Sequence, residues 1–197
     1  MAPKTVIEGS NVSASQLKEM FDQVAKGTLN GTHFQAFIEH RDPFVAGGEK
    51  NLFNPYTYFK TREGLWVSDA FTSRILPHVS PMPYRGCEGV TSQVLERNMS
   101  DTEIINELLG GMEETRKHAS TLDQIAAMID LQPNGEDGKL LNNGYANILY
   151  VLVNGVLFAV GVGWGSGSRG WSVRDWRLCE GGGWIAGSRV FRNALAI

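Results

Sequence analysis

The chain has 197 residues, of which 42% are hydrophobic and 20% charged, a composition typical of folded globular proteins rather than disordered ones. Its formal net charge of −3 argues against a main role in binding duplex nucleic acid, because such binding depends on many cationic contacts with phosphate. The charge is uneven: residues 1–139 carry 13 basic and 19 acidic side chains, whereas residues 140–197 carry five arginines and two acidic residues.

The first 45 residues predict a helical hairpin. Ser13 and Thr32 each begin a potential capping box, and apolar residues follow each of them at helical spacing. Asp42-Pro43 ends the second predicted helix. Residues 46–60 are rich in glycine, asparagine, proline and aromatic residues, which indicates an irregular linker and a domain boundary.

Residues 61–197 predict a second domain, a body of helices and strands. Helices are expected after Ser68 or Asp69, after Ser100 and after Ser120, because these capping residues precede apolar residues at helical spacing. Strands are indicated by short β-branched and aromatic runs at Leu65–Val67, Val90–Glu96, Tyr145–Val153, Val156–Trp164, Trp171–Leu178 and Arg189–Phe191.

The C-terminal strands predict a sheet. Asn154-Gly155 lies between two apolar runs and indicates a hairpin, since both turn positions favour positive φ. Tyr145–Val153 is apolar on both alternating faces, as expected of a central strand. Gly161 and Gly163 share a face that should admit a closely packed neighbour. We therefore predict an α+β fold: an N-terminal helical hairpin followed by an antiparallel β-meander sheet of four or five strands covered by two helices.

Several long runs resemble a known group of sequences. AAMIDLQPNGEDGKLLNNGYANILYV, GWSVRDW and GGGWIAGSRVF, together with TREGLWVSDAFTSRIL, are similar to uncharacterised predicted cytosolic proteins of genome-reduced, uncultivated (candidate-phyla) bacteria. The resemblance covers roughly residues 60–192. QLKEMFDQVAKGTLNGTHFQAFIEHRDPF is similar to a leader module that precedes several different bodies in those genomes, which implies modularity. The resemblance implies no activity and no functional residue.

Tryptophan and arginine are concentrated near the C-terminal end. Such side chains on a sheet can stack with single-stranded bases, and the candidate binding residues are Arg174, Trp176, Arg177, Arg189 and Arg192. Alternation along a strand opposes a single platform, because Trp171 and Trp176 point to opposite faces. We favour core packing for one indole and cover by the stem of Arg174 for the other.

Catalytic and metal-binding signals are weak. Cys87, which follows Arg85 and is flanked by glycines, is the best candidate nucleophile, and His118 or His78 would have to act as its base. No sequence signature joins them, so a small apolar thiol is the favoured interpretation. The two cysteines, Cys87 and Cys179, lack metal-ligand spacing, and the glycine-rich loops lack the order of a phosphate-binding loop. We expect no metal and no cofactor.

The cellular location is predicted from the first residues and from one apolar run. MAPKTVIEGS lacks the basic flank and apolar core of a secretory signal. Residues 148–164 are too few for a membrane span and are interrupted by Asn154-Gly155. We therefore predict a cytoplasmic protein without a membrane partner.

Three functions remain open at this point. The favoured one is a non-catalytic binding protein whose helical leader docks a common partner and whose body meets a variable one, with another protein as the preferred macromolecular partner. The first alternative is a single-stranded nucleic-acid-binding protein that uses the Arg/Trp cluster. The second is a thiol or metal-assisted hydrolase centred on Cys87 and a histidine such as His118.

Overall fold

The computed structural model describes residues 18, 21–22, 52–178 and 182–194. The chain divides into two units, Met1–Asn51 and Leu52–Ile197. In the first unit, Lys18, Phe21 and Asp22 are helical, and Lys18 Nζ lies 2.7 Å from Asp22 Oδ2. The rest of the predicted helical hairpin lies outside the described residues.

The second unit contains both helices and strands. Its helices are α1 (Pro55–Tyr58), α2 (Asp69–Arg74), α3 (Asp101–Glu103), which continues as a π-helix (Ile104–Leu108), α4 (Met112–Lys117) and α5 (Leu122–Asp130), with a 3-10 turn at Leu76–His78. Its strands are β1 (Leu52–Phe53), β2 (Leu65–Val67), β3 (Met82–Pro83), β4 (Val90–Val94), β5 (Asn147–Val153), β6 (Val156–Gly165), β7 (Gly170–Arg177) and β8 (Arg189–Asn193). β1 and α1 thus occupy part of the segment predicted as a linker.

The main sheet has six strands in the order β2-β7-β6-β5-β8-β4, and β1 pairs with β3 in a separate two-stranded sheet. The predicted fold, an antiparallel meander of four or five strands, is wrong. β5, β6 and β7 pair antiparallel in chain order, but β2 lies parallel to β7 and β8 lies parallel to β5. The second unit is therefore an α+β arrangement dominated by a mixed sheet.

The error has a physical cause. The prediction placed strands that follow one another in the chain next to one another in the sheet, which is common but not obligatory. β5 is buried along nearly its whole length, so both of its edges need a partner strand. β6 supplies one partner, and after β7 the chain crosses two strands so that β8 supplies the other.

Apolar residues cover both faces of the sheet, which also corrects the prediction of a cover made of two helices. On the α5 face, named for its helix, Leu149, Val151, Val160 and Val173 pack against α2 and α5. The opposite face, which we call the α3 face, packs against α3, its π-helical continuation and Trp184. Its buried strand residues are Ile148, Tyr150, Leu157, Ala159 and Val190.

The helix boundaries follow the capping signals. Ser68 Oγ accepts from the Phe71 N–H, and Ser100 forms a capping box with Glu103, as predicted. α5 begins one residue later than predicted, because Thr121 rather than Ser120 is its cap. Among the described residues, each helix is too short or too polar to span a lipid bilayer.

One buried amide organises the segment between α5 and β5. The side chain of Gln132 bonds the backbone of Leu140 twice, as donor to the carbonyl at 3.0 Å and as acceptor from the N–H at 2.8 Å.

Two indoles pack together beside the same segment. Gly135, with φ +73°, lies against the indole of Trp164, which meets Trp171 edge-on with ring centroids 5.2 Å apart. Trp171 is 1% exposed, so one of the C-terminal indoles is a core residue.

Candidate ligand-binding site

Two indoles from different segments meet on the α3 face. Trp176 belongs to β7 and Trp184 to the crossover toward β8; their ring centroids are 5.2 Å apart and their planes are inclined by 86°. Backbone bonds hold Trp184 against Met99 in both directions, at 2.9 and 2.7 Å. We call these two perpendicular rings the indole corner.

The indole corner lies on β6 at a position without a side chain. A Cβ added to Gly161 would be 2.7 Å from Trp176 Cζ3 and 3.3 Å from Trp184 Cη2. Both rings therefore occupy the space that any other residue would fill. The sequence predicts a closely packed neighbour on the face of Gly161, and that neighbour is the indole corner.

A buried carboxylate lies beside the indole corner. Asp101 is 6% exposed, and its Oδ1 accepts hydrogen bonds from the Tyr150 hydroxyl at 2.9 Å and from the Trp184 indole N–H at 2.8 Å. A carboxylate removed from water is costly unless it is hydrogen-bonded. These two donors therefore hold the Asp101 carboxylate in a defined position against the indole of Trp184.

The capping box at the start of α3 positions Asp101. Glu103 Oε2 accepts from the Ser100 N–H at 2.8 Å, and Arg97 Nη1 lies 2.8 Å from Glu103 Oε1. The Ser100 N–H, the Arg97 guanidinium and the Ser100 hydroxyl together lower the pKa of Glu103 to about 2. Each of these bonds favours the charged carboxylate.

The capping box predicts a defined pH dependence. Because the pKa of Glu103 is lower in the folded state, its contribution to stability is complete above its ordinary value of 4.5 and is lost as the pH falls toward about 2. Glu103→Gln keeps a side-chain cap but removes this titration. We expect urea-unfolding midpoints of the wild type and the variant to differ most near neutral pH and to converge on acidification. A constant difference across the acidic range would contradict this assignment.

The indole corner and Asp101 line a small cavity that is partly open to solvent. The cavity has a volume of about 120 Å³ and is lined by Trp176, Trp184, Asp101, Gly182 and Gly183. A groove of about 460 Å³ shares the two glycines and Trp184 with it and extends along residues 98–100, Glu103 and Ile185. The two spaces therefore adjoin at Gly182, Gly183 and Trp184.

The structure separates the predicted binding residues. Arg174 is exposed on β7, with its guanidinium carbon 4.8 Å from the ring centroid of Trp66 on β2. The guanidinium of Arg174 thus lies over Trp66, whereas a cation–π contact with Trp176 was expected. Trp176 is half-buried in the indole corner, and Arg177 is exposed at the end of β7.

The remaining two predicted arginines lie on β8, three strand spacings or about 14 Å from β7. Alternation places Arg189 on the face of Phe191 and Arg192 on the face of Val190. Arg189 donates to the Lys139 carbonyl, and Arg192 Nη2 lies 3.7 Å from Glu114 Oε2. The five predicted residues therefore do not form one continuous surface.

Cys87 and His118, two of the catalytic candidates, lie in different surroundings. Cys87 is 4% exposed and belongs to the core of the α5 face. His118 Nδ1 lies 2.9 Å from the Asn193 carbonyl oxygen, and the adjacent Ala119 packs in the core of the α3 face. The thiol is thus buried in a core, whereas the imidazole is bonded to the backbone at the end of β8.

Sequence reasoning missed three residues of this site, Asp101, Tyr150 and Trp184. Asp101 lies inside the capping box that was predicted at Ser100, and Trp184 lies between glycine-rich and small residues in a quoted run. No short-range spacing joins them, since Asp101 and Trp184 are 83 positions apart. The available signal was weak: an acidic residue in a first helical turn and a tryptophan outside any predicted strand.

Comparison of this chain with protein-family models, with curated proteins and with solved structures found no match.

Proposed function

We propose that this protein is a non-catalytic binding protein whose site, the indole corner with Asp101, takes a small organic cation. The observation that carries the proposal is the convergence of two perpendicular indoles and one buried carboxylate on a single cavity. This site is the one we assign to the binding protein that the sequence favours. Trp176 is the member of the predicted binding set that belongs to it.

The chemistry of the cavity favours positive charge. The face of an indole attracts a cation electrostatically, by about 2 kcal/mol where water is excluded. Asp101 supplies a formal negative charge whose position is held by Tyr150 and Trp184. A quaternary or primary ammonium group would meet aromatic surface on two sides and a carboxylate on a third.

The size of the cavity favours a head group over a whole metabolite. Pockets for drug-sized ligands measure about 300–1,000 Å³, whereas this cavity measures about 120 Å³. An ammonium or guanidinium group suits the smaller space, and the remainder of its ligand would extend into the groove.

The test compares choline with its uncharged isostere, 3,3-dimethylbutan-1-ol, by isothermal titration calorimetry at constant ionic strength. The two molecules have the same shape and differ in charge. We expect choline to bind about tenfold or more tightly, which corresponds to about 1.4 kcal/mol of charge-dependent affinity. Equal affinity, or no binding of choline, would overturn the proposal.

Two glycine substitutions on β6 provide a matched structural test. Gly161→Ala places a Cβ 2.7 Å from Trp176 Cζ3 and must displace the indole corner, whereas Gly163→Ala meets only Ser172 Oγ, at 3.5 Å. We expect the first variant to bind choline about tenfold more weakly and the second to bind like the wild type, since one displaced indole removes most of a cation–π contact. Equal affinity of the two variants for choline would contradict the assignment.

The cytoplasmic location and the preference for a protein partner are also part of this proposal. Both are carried over from the sequence as predictions, and the formal net charge of −3 disfavours nucleic acid as the partner. The domain division at residues 46–60 and the docking role of residues 1–45 likewise remain predictions.

A further inference from the structure

We infer that the cation recognised by the indole corner is a side chain of an extended basic polypeptide segment, whose neighbouring residues lie in the groove beside the cavity. This inference rests on the proposed function. The head group would enter the cavity lined by Asp101, and the flanking chain would follow the groove past Gly182 and Gly183 toward Glu103 and Ile185.

The charge around the groove supports a basic ligand. Arg97 is shared between Glu103 and Glu107, at 2.8 Å from each carboxylate. One guanidinium therefore faces two carboxylates, and Asp101 adds a third negative charge in the adjoining cavity. The excess of negative charge favours a ligand that carries positive charge beyond its head group.

The same charge argues against a phosphocholine lipid head group. In such a lipid a phosphodiester lies only two carbon atoms from the ammonium nitrogen. With the ammonium beside Asp101, the phosphate would approach the carboxylate of Glu103 in the groove. Asp101, Glu103 and Glu107 together carry more negative charge than Arg97 neutralises, which opposes the phosphate, whereas a peptide backbone is neutral.

The walls of the groove permit close approach by a chain. A Cβ added to Gly182 would meet no atom of the described residues within 4 Å. Gly183 borders the groove without opening it, because a Cβ there would lie 3.2 Å from the Met99 carbonyl oxygen. Ile185 is 57% exposed and offers apolar surface at the far side of the groove.

The test uses the full chain and a short peptide with one trimethyllysine among alanine and serine residues. We expect this peptide to bind about tenfold more tightly than choline, because the groove adds contacts to the same head group. The peptide with an uncharged tert-butyl isostere of trimethyllysine should lose most of this affinity. Choline binding without a gain from the peptide would overturn this inference and leave the proposed function intact. Failure of both ligands would overturn both.

Two variants that each add a positive charge test where the peptide binds. Ile185→Lys places a cation in the groove, and Leu131→Lys makes the same change at a residue that is 67% exposed at the end of α5. We expect Ile185→Lys to weaken peptide binding by about tenfold more than it weakens choline binding, because the added cation lies in the groove, and Leu131→Lys to leave the affinity for both ligands unchanged. Equal peptide affinity of the two variants would contradict the inference. A second outcome would also contradict it: binding to phosphatidylcholine vesicles that is stronger than binding to the peptide and is displaced by choline.

Discussion

Asp101→Asn is expected to weaken choline binding by about 100-fold, the largest effect of any single change in the proposed site. Truncating one partner of a desolvated charge pair costs about 2–5 kcal/mol. In the wild type Tyr150 and Trp184 donate to Asp101 Oδ1. Asparagine is nearly isosteric with aspartate, and its carbonyl oxygen can accept from the same two donors. The fold is therefore expected to persist while the charge is lost. Calorimetric titration with choline measures the affinity, and urea unfolding measures the stability.

Asp123→Asn is the matched control. Asp123 is also a buried aspartate in the first turn of a helix, where it accepts from the Thr121 hydroxyl and the Arg85 N–H, but it belongs to α5 on the opposite face. Its substitution should leave choline affinity unchanged. Loss of affinity in both variants would indicate general destabilisation, and retention of affinity in Asp101→Asn would exclude an electrostatic role for this carboxylate.

Gly135→Ala is expected to lower the free energy of unfolding by about 2–5 kcal/mol. Its φ of +73° costs an L-residue about 1–2 kcal/mol. A Cβ there would also lie 2.6 Å from Trp164 Cδ2, and overpacking of this kind costs about 1–3 kcal/mol. The sum is a large fraction of the stability of a typical domain, about 5–15 kcal/mol. Equilibrium urea unfolding of the full chain measures the change.

Gly144→Ala separates the two contributions. Gly144 has φ +88°, but a Cβ there would meet no atom within 4 Å. The backbone cost alone, about 1–2 kcal/mol, is therefore expected. If Gly135→Ala and Gly144→Ala destabilise the protein equally, Trp164 does not pack against Gly135 as described.

Much of the local structure was predictable because it depends on neighbouring residues. Ser68 and Ser100 cap helices where expected. Asn154 and Gly155 adopt φ of 48° and 75°, as the predicted hairpin turn requires. The shift of the α5 cap to Thr121 reflects two adjacent hydroxyl residues that can both cap, of which Thr121 forms a capping box with Gln124.

The order of the strands was not predictable in the same way. The parallel pairs β2–β7 and β5–β8 join segments that are distant in the sequence or separated by a crossover. Apolar alternation shows which face of a strand is buried but does not identify its neighbours. The two-sided burial of β5 indicated a central strand and left the identity of its second partner open.

The candidate site was predictable only in part. Alternation correctly separated Trp171, which is buried on the α5 face, from Trp176, which lies on the α3 face. The partner of Trp176 is Trp184, from the crossover, and the carboxylate comes from α3. These residues meet only through the tertiary fold, so no local pattern contained the site.

The most direct measurement follows the indole N–H signals of the five tryptophans by heteronuclear NMR during titration with choline. Trp176 and Trp184 line the cavity, whereas Trp164 and Trp171 pack together on the α5 face and Trp66 lies beneath Arg174. We predict saturable shifts of the Trp176 and Trp184 signals, with Trp164 and Trp171 unmoved, and no such shifts with 3,3-dimethylbutan-1-ol. Unchanged Trp176 and Trp184 signals, or equal shifts of all five, would contradict a cation site at the indole corner.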